Sequence, residues 1–341
     1  MKYSRIAADT SKSIFTLHGV DAPGHAILRR NLKRAAFEAF FAKLEPTEVV
    51  LEACGGSHHW GRRLAELGHT VKLIPPQYVK PYVKRGKNDR NDAEAINEAA
   101  GRPGMRFVPV KSAASQADAL ALSLRELLVG QRTALINALR GHATEFGIVA
   151  AKGTQHIASL LAEVAQNQAL PQTAREVLAL LGEQIDHMNQ ELDKLDARLA
   201  AQHKTNPMSQ LLIGHPGIGP IAALSFALTV DPSRFKSGRH FAAWLGLTPK
   251  DKSTGGRQRL GGISRAGNER LRQLLVVGAM AVIRFAKPGS KTASPWLLKL
   301  LERRPRKLAA VALANKMART VWAMMTSGEA YRGVAQAANA G

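Results

Sequence analysis

The chain has 341 residues, with 48 Lys or Arg against 26 Asp or Glu, a formal net charge of +22. Hydrophobic residues make up 45%, enough for real cores, so a disordered basic protein is excluded and the length suits two or three domains. Such an excess of cations favours a polyanionic partner, because each Lys or Arg that neutralises a phosphate releases condensed counterions. Cys54 is the single cysteine, which excludes an intramolecular disulfide and a cysteine-rich zinc site. No apolar run approaches the roughly 18 residues of a membrane span, and Met1–Lys12 lacks an apolar signal core. A cytoplasmic, nucleoid-associated protein with no membrane contact is expected.

In chain order, Arg5–Ala8 and Ile14–Gly19 read as neighbouring strands around a turn, and Arg34–Leu44 as a helix. Glu48–Ala53 and Thr70–Ile74 read as buried strands, the second stopped by Pro75-Pro76, with Trp60–Leu67 helical between them. Asn91–Ala100 is a helix ended by Gly101 and Pro103. The alternation indicates an α/β sheet domain over residues 1–111.

From about Ser112 the strands stop. Ser115–Phe146 reads as one long helix and Thr173 to about His203 as a second. Leu178, Leu181, Ile185, Met188, Leu192, Leu195 and Leu199 alternate steps of three and four, a heptad seam. Either a coiled coil between protomers or a helical hairpin within the chain satisfies it, and both remain open for residues 112–205. Pro207 breaks the pattern. Residues 206–328 then carry Gly-rich loops and the helices Asn268–Phe285 and Lys307–Met325, and residues 329–341 form an Ala- and Gly-rich, flexible tail.

Four acids stand out. Asp9 and Glu52 end the first and third strands, and Asp89 and Asp92 are three apart, on one face of a helical turn. Each has an ordinary role open to it: a turn cap for Asp9, a helix cap or first-turn acid for Asp89 and Asp92. Glu52, after Val49-Val50-Leu51, is costly unless exposed or paired. As a set, acids at strand ends are how a protein without a His/Cys cluster would hold magnesium, with manganese as its substitute, through hard oxygen ligands. Cys54 reads as a small buried hydrophobe, and His58 and His59 as the start of a helix beside the site.

A second cluster lies at Lys250–Arg272, with seven Lys/Arg and two acids around Gly255-Gly256, a basic glycine-rich loop suited to phosphate. On residue type alone Ser253 is a loop serine, without His or Asp at triad spacing. His215-Pro-Gly-Ile-Gly-Pro220 is either a tight turn or the hairpin of a helix-hairpin-helix, flanked by Leu211–Ile213 and Ile221–Leu228. Candidate nucleic-acid contacts are Lys84, Arg85, Lys87, Gly217, Gly219, Lys250, Lys252, Arg257, Arg259 and Arg265, with Arg303-Arg304-Pro305-Arg306-Lys307 either a further backbone-contact cluster or a solvated loop.

Asp9-Thr-Ser-Lys, Leu51-Glu-Ala-Cys-Gly-Gly-Ser-His-His-Trp60 and Lys87-Asn-Asp-Arg-Asn-Asp-Ala-Glu-Ala-Ile96 resemble, in order, the three blocks of the RuvC-like DEDD transposases of the IS110 insertion-sequence family. The IS1111 branch is the nearest, and Piv-type DNA invertases are related. Ser253-Thr-Gly-Gly-Arg and Arg259-Leu-Gly-Gly-Ile-Ser-Arg-Ala-Gly-Asn268 are similar to the second domain of the same transposases. The resemblance implies an RNase H-like mixed-sheet domain, a helical coiled-coil middle and a mainly helical transposase domain. It implies Asp9, Glu52, Asp89 and Asp92 as a metal tetrad. Ser253 is the implied nucleophile, with Thr254 its nearest competitor and Ser264, which would otherwise cap the next helix, a weaker one. The partners implied are donor and target DNA, a guide (bridge) RNA and further copies of the chain in a dimer or tetramer. The rival readings are a junction resolvase or nuclease that uses water as nucleophile, an ATP-using kinase of the actin-like superfold, and a non-enzymatic nucleic-acid scaffold.

Overall fold

A computed structural model describes residues 2–84, 88–257, 259–290 and 294–332. The chain divides into two compact units, Met1–Ala117 and Asp118–Gly341.

The first unit is built on a mixed sheet of β1 (Arg5–Thr10), β2 (Ile14–Val20), β3 (Ala26–Lys33), β4 (Glu48–Glu52) and β5 (Thr70–Ile74), in the order β3-β2-β1-β4-β5. β1, β2 and β3 form an antiparallel meander, while β4 runs parallel to β1 and β5 parallel to β4. Short polar side chains make the turns. Ser11 Oγ accepts from the Ile14 amide at 3.1 Å, and Asp21 Oδ1 accepts from the amides of Gly24 and His25 at 2.9 and 2.7 Å. β3 was not anticipated, because exposed Arg29, Arg30 and Asn31 interrupt its alternation. It is an edge strand, where charge is tolerated and guards against further pairing. The helix expected over Arg34–Leu44 is shorter. A 3-10 turn at Arg34–Ala36 leads into α1 (Phe37–Phe41). Phe37 and Phe41 are fully buried, and Pro46 ends the segment before β4.

Both faces of the sheet are covered, which is why its strands read as continuous apolar runs. Ile6, Ala8, Phe15, Leu17, Val49 and Leu51 pack with Phe37, Phe41 and with Trp60 and Leu64 of α2 (Ser57–Glu66). On the other face Ala7, Val50 and Ile74 meet Val79 of α3 (Pro76–Val79) and Ala95, Ile96 and Ala99 of α4 (Asp89–Ala100). The order of strands and helices is that of an RNase H-like, RuvC-like domain.

The second unit is mostly helical: α5 (Ala113–Glu145, whose first turn lies in the first unit), α6 (Ile157–Gln166), α7 (Gln172–Thr205), α8 (Pro207–Leu212), α9 (Pro220–Thr229), α10 (Gly238–Trp244), α11 (Glu269–Arg284), α12 (Pro295–Arg303) and α13 (Arg306–Ser327). The heptad seam is filled inside the chain. Leu178, Ile185, Leu192 and Leu199 are each no more than 3% exposed. Arg132 Nη1 donates to Asn189 Oδ1 at 2.9 Å, and seven residues earlier Arg125 Nη2 donates to Asp196 Oδ2 at 3.2 Å. Seven residues forward on α5 are matched by seven backward on α7, so the two helices form an antiparallel hairpin. Leu178 and Ile185 share their core with Ile136 and Leu139 of α5 and Leu160 of α6. A separate core gathers α8–α13 around Phe226, Phe241, Leu275, Met317 and Val321. Strands do not end at Ser112: β6 (Pro249–Asp251) and β7 (Leu260–Ile263) form a short antiparallel hairpin. Glycines at 255, 256, 261 and 262 mask it in the sequence. Among the described residues no helix is long and apolar enough to cross a membrane.

Because the seam closes within one chain, Ile185→Ala is expected to lower stability by about 2–4 kcal/mol without changing the mass measured by light scattering. Leu180→Ala, at a site 56% exposed, should be close to neutral. A fall in mass with no loss of melting temperature would show that the seam joins protomers.

Candidate active site

Asp9 lies near the end of β1, and the parallel register Ala8↔Leu51 places Glu52 at the same end of the adjacent strand. α4 brings the other two acids. Asn88 caps it, its side chain accepting from the Asn91 amide at 2.9 Å, and Asp89 and Asp92 occupy the first turn. Small residues let α4 lie close to the sheet: Ala7, Ala95 and Ala99 are fully or almost fully buried against one another. Buried Asn97 fastens the helix at mid-length. Its Nδ2 donates to the His18 carbonyl at 2.8 Å, and its own carbonyl accepts from Arg5 Nη1 at 2.9 Å, while Arg5 Nε donates to Glu48 Oε1 at 2.8 Å.

The result is a cluster in which Asp9, Asp89 and Asp92 each offer a carboxylate oxygen within 4.8 Å of the others. Glu52 falls outside that distance yet stays in electrostatic reach. Burial, then the charges of Asp92, Asp89 and Glu52, push the Asp9 carboxyl up to about 6, against the pull of the Thr10 backbone. Burial and then Asp92 raise Glu52. Among the described residues none of the four acids is in an ion pair, so no salt bridge there offsets their mutual repulsion. A cluster of hard oxygen donors with no ion pair among the described residues fits a divalent cation.

The surroundings include groups not foreseen. Cys54 is exposed rather than buried. It sits in the turn after β4, with Sγ 3.5 Å from Thr10 Oγ1, because the chain must leave the sheet there to enter α2. His58 and His59 do begin α2, but His58 Nδ1 accepts from the Lys111 amide at 3.2 Å, and burial lowers its pKa. His58 therefore joins that helix to the segment after the sheet.

Ser253 lies on the β6–β7 hairpin, fully outside the core. Its amide donates to Asp251 Oδ1 at 2.8 Å and its Oγ accepts from the Arg259 amide at 3.1 Å. Hydrogen bonds from Ser253, side chain first, hold Asp251 below the usual carboxylate range. Asp251 was not singled out from the sequence, although Asp-x-Ser is the spacing of an Asx turn. Thr254 pairs with Arg257 across the tip, and Gly255 and Gly256 turn the chain with φ of 54° and 73°. Lys250, Lys252, Arg257, Arg259 and Arg265 are all exposed around it. Ser264 does not cap α11. Asn268 does, accepting from the Leu271 amide at 3.0 Å, because the chain needs Gly267 (φ 67°) before the helix can start.

The remaining candidates divide. Lys84 pairs with Glu94 at 2.6 Å, whereas Arg85 and Lys87 lie outside the described residues. Gly217 (φ 85°) faces α11: a Cβ there would meet the Gly278 carbonyl at 2.8 Å, so close backbone packing accounts for this glycine. Gly219 is open to solvent at the start of α9. Arg303 and Arg304 end α12, Arg306 and Lys307 begin α13, and all four are exposed.

Residues 6–148 match a DEDD-type IS110 family described as "Transposase", and residues 209–294 match "Transposase IS116/IS110/IS902 family". The y4pF/y4sB protein of Sinorhizobium fredii is 54% identical over 96% of this chain and 85% of its own length. A Pseudomonas aeruginosa protein named "Probable family 20 transposase" is 46% identical over 97% of this chain and 99% of its own. The "Transposase for insertion sequence element IS1111A" of Coxiella burnetii is 41% identical over 96% and 91%. With identity of this level along nearly its whole length, the chain belongs to the IS116/IS110/IS902 family of transposases.

Proposed function

We propose that this transposase cuts and rejoins donor and target DNA with its four N-terminal carboxylates and a serine nucleophile, Ser253. The observation that carries the reading is the cluster of Asp9, Asp89 and Asp92, with Glu52 in electrostatic reach. These four residues would hold Mg2+, with Mn2+ as a substitute. A bound divalent ion would make an attacking oxygen more nucleophilic and steady the leaving oxygen. The protein's own contribution is to keep the four oxygens preorganised: β1 and β4 fix Asp9 and Glu52, and the Asn88 cap fixes Asp89 and Asp92.

At the hairpin, Asp251 orients the serine and the two glycines leave it accessible. Attack by Ser253 Oγ on a phosphodiester forms a serine–phosphate ester and breaks one bond from phosphorus to a sugar oxygen. The serine gives up its proton and the leaving sugar oxygen takes one up. Because one ester replaces another, the bond energy is kept and a sugar hydroxyl can reverse the step without ATP. Lys250, Lys252, Arg257, Arg259 and Arg265 supply positive charge for the backbone, with the Gly219 amide and Lys84 as further contacts. Self-association in a dimer or tetramer and guidance by a bridge RNA complete the proposal, the latter resting on the family resemblance.

Two outcomes test it. Asp9 takes up a proton near pH 6 in the folded chain against an ordinary 3.8, so its favourable contribution exists below about pH 4 and is lost as the pH rises through 6. In metal-free protein at neutral pH, Asp9→Asn should therefore raise stability by about 1 kcal/mol. Mg2+ should raise the melting temperature of the wild type and not of Asp9→Asn. Asp9→Asn, Glu52→Gln, Asp89→Asn and Asp92→Asn should each abolish strand cleavage while DNA binding survives. Full cleavage by any two of them would refute the tetrad.

For the serine, wild-type protein on a nicked suicide substrate should form a covalent adduct that survives denaturation and maps to Ser253 by mass spectrometry. Ser253→Ala should lose the adduct and keep its fold, and Thr254→Ala should retain activity. Metal-dependent hydrolysis with no adduct would replace the serine by water and make the protein a nuclease of the resolvase kind.

A further inference from the structure

The first unit holds a second polar site on the same side of the sheet as the carboxylates. In the antiparallel ladder, Asp9 pairs with Thr16, and Thr16 with Asn31; one step along, Ala7 pairs with His18, and His18 with Arg29. Directly paired residues share a face and successive residues alternate. Thr16, Asn31, His18 and Arg29 therefore lie on the face of Asp9 and Ala7, the one that α4 covers. There they line an open cavity of about 430 Å³, which Asn88 and Arg90 from the start of α4 also line.

His18 sets this cavity apart. It is 7% exposed, and neither Nδ1 nor Nε2 has a hydrogen-bond partner among the described residues. A buried imidazole with both nitrogens unmatched costs stability unless something else binds it. Its neighbours indicate what that is. Arg29 and Arg90 take part in no ion pair among the described residues, and Asn31 adds an amide. The lining acid, Glu94, is answered by Lys84 at 2.6 Å.

We propose that this cavity binds a backbone phosphate of a nucleic-acid strand, with His18 and Arg29 as its principal donors, and so positions that strand across β2 and β3 on its way to the carboxylates. A neutral imidazole donates from one nitrogen, and a phosphodiester offers acceptor oxygens only, so the phosphate satisfies the donor nitrogen. The assignment to the strand being cut rests on the proposed function; the phosphate site itself does not.

The test is a titration of 15N-labelled protein with a thymidine tetranucleotide and, separately, a uridine tetranucleotide, following the imidazole nitrogens of His18, identified by their loss in His18→Gln. The His18 signals should move on titration. The surface variant Arg29→Ala with Asn31→Ala should weaken the affinity read from them about tenfold, equivalent to about 1.4 kcal/mol. Movement with either strand supports the site, and the tighter one names the source of the phosphate. Static His18 signals at saturation, or an affinity indifferent to Arg29→Ala with Asn31→Ala, overturn the site. DNA substrates with single methylphosphonates stepped across the cut should lose cleavage about tenfold at one flanking position in the wild type, and not further in the double variant. Even cleavage of all of them overturns the assignment to the cut strand. A wild type that cleaves none of the substrates, including the unmodified one, removes the proposed function and leaves the phosphate site to the titration.

Discussion

The site in the first unit depends on how closely α4 lies on the sheet. Asp9 belongs to a strand and Asp89 and Asp92 to this helix, and the three share a cluster, with Glu52 in electrostatic reach, only because the helix reaches the sheet surface. Ala7, Ala95 and Ala99 remove the side-chain volume that would hold it away, and Asn97 and Arg5 fix its position along the strands. Leucine at any of the three alanines would force atoms apart in a packed interior. The closeness has a cost: Asp9 is partly buried and negative charges are concentrated with no ion pair among the described residues, and the raised Asp9 carboxyl registers both.

In the second unit precision and freedom are separated along one hairpin. Its base is held tightly. A Cβ at Gly267 would meet the Trp244 carbonyl at 1.8 Å, and one at Gly246 the Ala266 amide at 2.4 Å. Buried Arg272 donates to the carbonyls of Leu245 and Ala266 at 3.0 and 2.8 Å. Arg265 is held at φ 56°, a conformation that non-glycine residues adopt sparingly. The tip, from Asp251 to Arg257, is solvent-exposed and tethered by hydrogen bonds between near neighbours. Ser253 is thus carried on an exposed tip with a fixed root.

The sheet strands that carry Asp9 and Glu52 were legible because strands buried on both faces leave plain apolar runs. α4 was legible from its terminators. What escaped has specific causes. β3 carries two arginines at an edge, and the β6–β7 hairpin is too glycine-rich to show alternation. The heptad seam defined an interface but not its owner, since periodicity is the same whether the partner helix comes from the same chain or another. Cys54 was misjudged because composition favours burial, whereas its place in the turn after β4 is a matter of topology. Asp251 was overlooked because its role comes from a turn two residues long. The unmatched nitrogens of His18 cannot be inferred from sequence at all: they emerge only when the ladder and α4 surround the ring and, among the described residues, supply no partner.

Cys54 carries a practical consequence. The chain has one thiol, and it stands exposed beside Thr10, the neighbour of Asp9, and two residues beyond Glu52. Any maleimide, spin label or mercurial that reacts with cysteine therefore modifies the turn that follows Glu52 and nowhere else, with no engineering of the protein. The turn after β4 thus comes with a built-in reporter, two residues along the chain from Glu52.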